Sequence, residues 1–138
     1  MSVLSAFLHP AAREETAEVI VSKRFLDEEG KPVPFKVRSL TQEENDGFLQ
    51  RATRWKTDST GQSRETVDQV DYTRRLVAAA TVEPDFSSRE LCEAYGVMDP
   101  LLVAGKMLRP GEYQRLTDKI LELSGFAEDE TAEDAAKN

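Results

Sequence analysis

Met107-Leu108-Arg109-Pro110-Gly111-Glu112-Tyr113-Gln114-Arg115-Leu116, continuing to Phe126, is the stretch that decides the fold. Pro110 suits the first turn of a helix, where its missing N–H leaves no bond unmade and its fixed φ is already helical. Tyr113, Leu116, Ile120 and Leu123 follow at three-and-four spacing, so they share one face, which Leu121 widens. Gly125 falls where a left-handed residue closes the helix, and Phe126 where a Schellman motif places its apolar side chain. Start, stripe and stop agree on one amphipathic helix with no catalytic group in it.

Working upstream, Asp99-Pro100 pairs an N-cap with proline at the first helical position, opening a short helix through Leu101, Leu102, Val103 and Met107. Ser87-Ser88-Arg89-Glu90 has the form of a capping box ahead of Leu91, Cys92, Ala94 and Tyr95. A longer helix is predicted from about Glu65 to Val82. Its uncharged run Leu76-Val77-Ala78-Ala79-Ala80 makes it the central buried element, ended by Glu83-Pro84. Thr41-Gln42-Glu43-Glu44 is a second capping box, leading into Phe48, Leu49, Ala52 and Trp55. Between these two helices the polar run from Lys56 to Arg64 reads as a mobile loop.

Ahead of the helices lies a hairpin signal. Val19 to Phe25 and Val33 to Arg38 are the strands, and Asp27-Glu28-Glu29-Gly30-Lys31 is the turn, with Gly30 at positive φ. Val19, Val21 and Phe25 share a face with Val33, Phe35 and Val37, and Lys23 breaks that pattern. Two strands alone are marginal, so the hairpin rests on its own helices or gains a strand from another subunit. The predicted class is therefore α+β, mostly α-helical: an N-terminal β-hairpin followed by about five helices and a disordered acidic C-terminal tail. Residues 1–16 form a flexible N-terminal segment, 17–126 the domain and 127–138 the tail. Val3, Leu4, Phe7 and Leu8 at the start read either as a fraying end or as a short peptide that docks on a neighbour.

The 138 residues carry a net charge of −8, which opposes non-specific attraction to nucleic acid or anionic lipid. Half of that charge sits in residues 127–138, where five acids and one lysine give −4. No apolar run approaches the roughly 20 residues of a membrane span. A single cysteine excludes an internal disulfide, and no basic region precedes the apolar start, so a reducing, intracellular setting is expected.

Converging chemical groups are scarce. His9 is the only histidine and lies near the terminus, Cys92 reads as a buried small hydrophobe, and no phosphate loop or metal-ligand spacing is present. The expectation is no catalytic residue, no cofactor and no metal. Arg54-Trp55-Lys56 interleaves an aromatic with bases, as single-stranded nucleic acid binders do, but the preferred reading is a helix-end tryptophan covering the core.

Several pieces then fall in a telling order: Phe35-Lys36-Val37-Arg38-Ser39-Leu40-Thr41-Gln42-Glu43-Glu44, Tyr72-Thr73-Arg74-Arg75-Leu76-Val77-Ala78, Val82-Glu83-Pro84-Asp85-Phe86, Ala94-Tyr95-Gly96 and Met107-Leu108-Arg109-Pro110-Gly111-Glu112-Tyr113. From Val19 to Phe126 this resembles the XkdN-like tail assembly chaperones of bacteriophages and prophage particles. The resemblance implies a non-enzymatic protein of the host cytoplasm, absent from the mature virion. It binds the tape measure protein, a long helical rod with apolar stripes, and keeps it soluble until tail tube subunits polymerise around it. The tail tube protein is a further partner, and self-association would add avidity along the rod. A structural tail component, such as an adaptor or completion protein, is the alternative. Leu91, Tyr95, Leu101, Leu102, Met107, Tyr113 and Leu116 are the candidate partner-binding residues, taken to build one groove from the C-terminal helix and the short helices before it.

Overall fold

The computed structural model describes residues 3–126; the acidic stretch predicted to be a disordered tail lies outside them. In chain order the elements are α1 (Val3–Leu8), β1 (Thr16–Val19), β2 (Phe35–Arg38), α2 (Gln42–Ala52), β3 (Thr53–Thr57) and β4 (Ser63–Val67). They continue with α3 (Gln69–Ala80), β5 (Thr81–Glu83), α4 (Arg89–Ala94), a 3-10 turn (Pro100–Leu102), α5 (Val103–Met107) and α6 (Pro110–Leu123). The class is α+β, with more strand than the sequence suggested: 46% helix and 19% strand among the described residues. No helix among the described residues is long and apolar enough to cross a membrane.

α6 begins and ends as its residues dictate. Pro110 is its first residue, and the Arg109 N–H donates to Glu112 Oε1 at 2.8 Å. At the other end Gly125 takes φ +91°, its N–H donates to the Glu122 carbonyl, and the Phe126 N–H donates to the Leu121 carbonyl. That pair of bonds is the Schellman closure. Leu116 and Ile120 are wholly buried at its centre. α2 opens with the full capping box: the Glu44 N–H donates to Thr41 Oγ1 at 3.2 Å and the Thr41 N–H to Glu44 Oε1 at 3.1 Å. In α4 the cap is Ser88, not Ser87. Ser88 Oγ accepts from the Leu91 N–H, while Ser87 is held by the Asp85 carboxylate. Glu90 then sits one position too early to complete a box.

The N-terminal hairpin differs from expectation in its first strand. β1 ends at Val19, and its pairing with β2 runs Thr16↔Arg38, Ala17↔Val37, Glu18↔Lys36 and Val19↔Phe35. Residues 20–24 leave the ladder, which is why Lys23 reaches solvent while Val21 is buried. Thr16, assigned to the flexible segment, belongs to β1, and residues 3–8 are helical with none of them buried. The sheet is completed from within the chain: β5 pairs with the other side of β2, giving the order β1-β2-β5, all antiparallel.

A second departure lies between α2 and α3. The polar run read as a mobile loop is a β-hairpin, β3 paired with β4 in the register Thr53↔Val67 to Thr57↔Ser63. It takes Trp55 off the end of α2 and Val67 off the start of α3, so the central helix begins at Gln69, four residues later than expected. Trp55 is 69% exposed and covers no core.

The core lies between the sheet and the α3–α6 pair. Val21, Phe35 and Val37 contribute from the sheet side, Phe48 from α2, Leu76, Val77 and Ala80 from α3, and Leu116 and Ile120 from α6. Cys92 and Val103 close it from the short helices, and Phe86 and Leu108 from the connections next to them. Cys92 is buried as read, its thiol 3.5 Å from the Phe86 carbonyl.

Candidate partner-binding surface

The segment after β1 is tied to the start of α6 by a charged cluster. Glu112, 6% exposed, receives the Arg24 guanidinium through Nε at 2.9 Å and through Nη2, and Arg24 Nη2 also donates to the Met107 carbonyl at 3.1 Å. Arg24 first, and Ser22 second, hold the Glu112 carboxyl well below the usual carboxylate range. Arg115 Nη1 donates to the Val21 carbonyl at 3.0 Å. An arginine fork closed on a nearly buried carboxylate is among the more rigid side-chain contacts available. It fixes residues 21–25 against α5 and α6.

That fixed segment forms one wall of an apolar trough of about 520 Å³, lined by Phe25, Leu26, Val33, Pro34, Phe35, Pro84 and Met107, with Arg24 and Glu83 at its rim. Leu26 is 53% exposed and Val33 43%. The Phe25 and Phe35 rings meet at 5.7 Å beneath them. Pro84 is also a wall of the adjoining depression, about 480 Å³, lined by Asp85, Ser88, Glu90, Leu91 and Ala94. A separate cleft of about 550 Å³ opens between α3 and the α5–α6 corner, lined by Val70, Thr73, Arg74, Leu108, Pro110 and Tyr113 among others. Burial raises the Tyr113 phenol above its ordinary pKa, with Arg74 opposing.

The seven predicted residues therefore do not converge on one groove. Met107 lines the trough and Leu91 the depression beside it. Tyr113 faces the other cleft. Tyr95 is half-buried against the core, within electrostatic reach of Arg24. Leu101 and Leu102 sit in the 3-10 turn, with Leu102 36% exposed. Leu116 is sealed in the core at 0% exposure and offers nothing to a partner of the folded chain. Sequence reading misses Leu26, Val33 and Pro84 as surface residues, because Leu26 falls between the first strand and its turn, Val33 reads as strand and Pro84 as a helix stop. Apolar residues on both sides of a tight turn, Leu26 and Val33 around Asp27–Lys31, were the available signal. Among the described residues no three His, Cys, Asp or Glu side chains gather where they could hold a metal.

Comparison with known proteins agrees with the resemblance. A family model, the phage XkdN-like tail assembly chaperone protein, matches residues 4–137. YqbN of Bacillus subtilis (strain 168) is 39% identical over 127 residues, covering 90% of this chain and 85% of that protein. The phage-like element PBSX protein XkdN of the same organism is 36% identical over the same shares. The crystal structure of YqbN superposes with a TM-score of 0.74 at 33% identity, covering 91% of this chain and 98% of that one. The chain thus belongs to the XkdN-like phage tail assembly chaperone family.

Proposed function

We propose that this chaperone binds the tape measure protein and keeps it soluble during tail tube assembly, and that the trough lined by Leu26, Val33 and Pro84 receives an apolar stripe of that rod. The observation supporting this reading is the exposure of Leu26 and Val33 over an apolar floor. An apolar concavity left open to solvent is a usual mark of a helix-binding groove. Met107 takes part from within the trough and Leu91 from the depression beside it, whereas Tyr113 lines a separate cleft. The proposal includes action in the host cytoplasm and absence from the finished particle.

Co-expression with a tape measure fragment tests it. The wild-type chain should hold the fragment in the soluble fraction and co-purify with it. Leu26→Asp with Val33→Asp should abolish both while leaving the chain's own thermal melt nearly unchanged. A fragment that stays insoluble with the wild type, or that is rescued equally by the double variant, overturns the reading. Mass spectrometry of purified particles addresses the structural alternative, since a chaperone is absent there and an adaptor or completion protein is present.

A further inference from the structure

Arg24 is shared between the apolar trough and a second concavity on its other side. This groove, about 530 Å³, is lined by Ile20, Lys23, Arg24, Arg109, Glu112 and Arg115 among others. Among the described residues the only carboxylate lining it is Glu112, and Arg24 consumes that charge. Lys23, Arg109 and Arg115 are exposed, and none of them has an ion-pair partner among the described residues. Three uncompensated cations thus converge around one concavity on a chain whose net charge is −8.

The geometry points to a docking site for an acidic, amphipathic segment of a partner protein, its apolar side on Ile20 and its carboxylates on Lys23, Arg109 and Arg115. Ile20 is 48% exposed in the groove. A phosphate or a nucleic acid backbone would gain nothing from that aliphatic floor. A long polyanion would also meet the repulsion of the rest of the chain, whereas a short segment meets chiefly the groove. The walls are held before anything binds: Arg115 by the Val21 carbonyl, and Arg24 by Glu112 and Met107. Little ordering is then needed on association. The groove adjoins the trough, but the two sites are tested by different ligands and fail separately.

The probe is a fluorescein-labelled 14-residue helical peptide with leucines at three-and-four spacing flanked by glutamates, titrated with the full chain by fluorescence anisotropy. Binding should weaken as salt is raised from about 50 to about 500 mM, because the contacts are charge pairs at the surface. Lys23→Glu and Arg109→Glu should each weaken it about tenfold or more. Lys56→Glu, the same charge change on β3, should leave it within about twofold. Lys23 makes no ion pair among the described residues, so its reversal separates recognition from folding. Absence of binding, equal loss with Lys56→Glu, or tighter binding of duplex DNA than of the peptide overturns the proposal.

Discussion

Two hairpin turns in this molecule are built from the same five-residue pattern and meet opposite fates. In Asp27-Glu28-Glu29-Gly30-Lys31 the Asp27 carboxylate accepts from the Glu29 and Lys31 N–H groups, and Gly30 takes φ +80°. In Asp58-Ser59-Thr60-Gly61-Gln62 the Asp58 carboxylate accepts from the Thr60 and Gln62 N–H groups, and Gly61 takes φ +85°. The backbone bonds match as well: Asp27 N–H to Lys31 O at 2.8 Å and Asp58 N–H to Gln62 O at 2.9 Å. The first turn leads back to Phe35 and Val37, which are core. The second joins Lys56 directly opposite Arg64, and Trp55 opposite Glu65, all exposed. Turn chemistry makes a hairpin, and the residues beside the turn decide whether it is buried. Like charges facing each other across a ladder also cost stability, which marks β3–β4 as a ribbon that the core does not hold.

The widest gap between the two regions should appear on truncating their largest side chains. Phe35→Ala, at 3% exposure, should cost about 3 kcal/mol or more in urea unfolding. A loss under about 1 kcal/mol would mean that the sheet is not part of the main core.

Acid should weaken the ion pairs beside the first region, Arg24–Glu112 and Arg38–Glu44. The Glu112 carboxyl is depressed below its ordinary value of 4.5 by Arg24 and then Ser22, and Glu44 is depressed by Arg38 foremost. A depressed carboxylate contributes stability above its unfolded pKa and loses that contribution as pH falls through the folded value. The melting temperature should therefore fall as the solution is acidified below about pH 4.5, the ordinary glutamate range. Glu112→Gln should start lower and show a shallower fall over the same range. An unchanged slope would remove Glu112 from the account.

Gly30→Ala and Gly61→Ala form a matched pair, since each new Cβ would meet open space at a positive φ. Gly30→Ala should cost about 1 kcal/mol in global stability through backbone strain. Gly61→Ala should show less in the global transition, because a ribbon outside the core can open locally, and hydrogen exchange on β3 and β4 should rise instead. Equal global costs would show that the ribbon unfolds with the rest. The smallest effect is expected for Trp55→Ala, within about 0.5 kcal/mol. A larger loss would mean that the indole packs against the body.

Residue order alone determined the elements whose signals are local. The start and Schellman close of α6, the Thr41–Glu44 box and the Asp99-Pro100 start rest on contacts within a few positions in the chain, while the uncharged run at Leu76 and Val77 and the apolar surroundings of Cys92 signal burial by composition. The order of motifs also carried the family, although each motif is short. The D-x-x-G-x pattern at Asp58 is equally local, but its polar neighbours carry no strand signal, so the stretch reads as a loop. Tertiary structure alone decided the rest. β5 was legible only as a helix stop, since a three-residue strand gains its bonds from β2, more than forty residues away. The site was illegible for the same reason. Met107 lines one trough, Leu91 the depression that shares Pro84 with it, Tyr113 faces another cleft, and Leu116 is sealed inside. Spacing along a helix tells which residues share a face, but which face meets the core depends on elements far off in the chain.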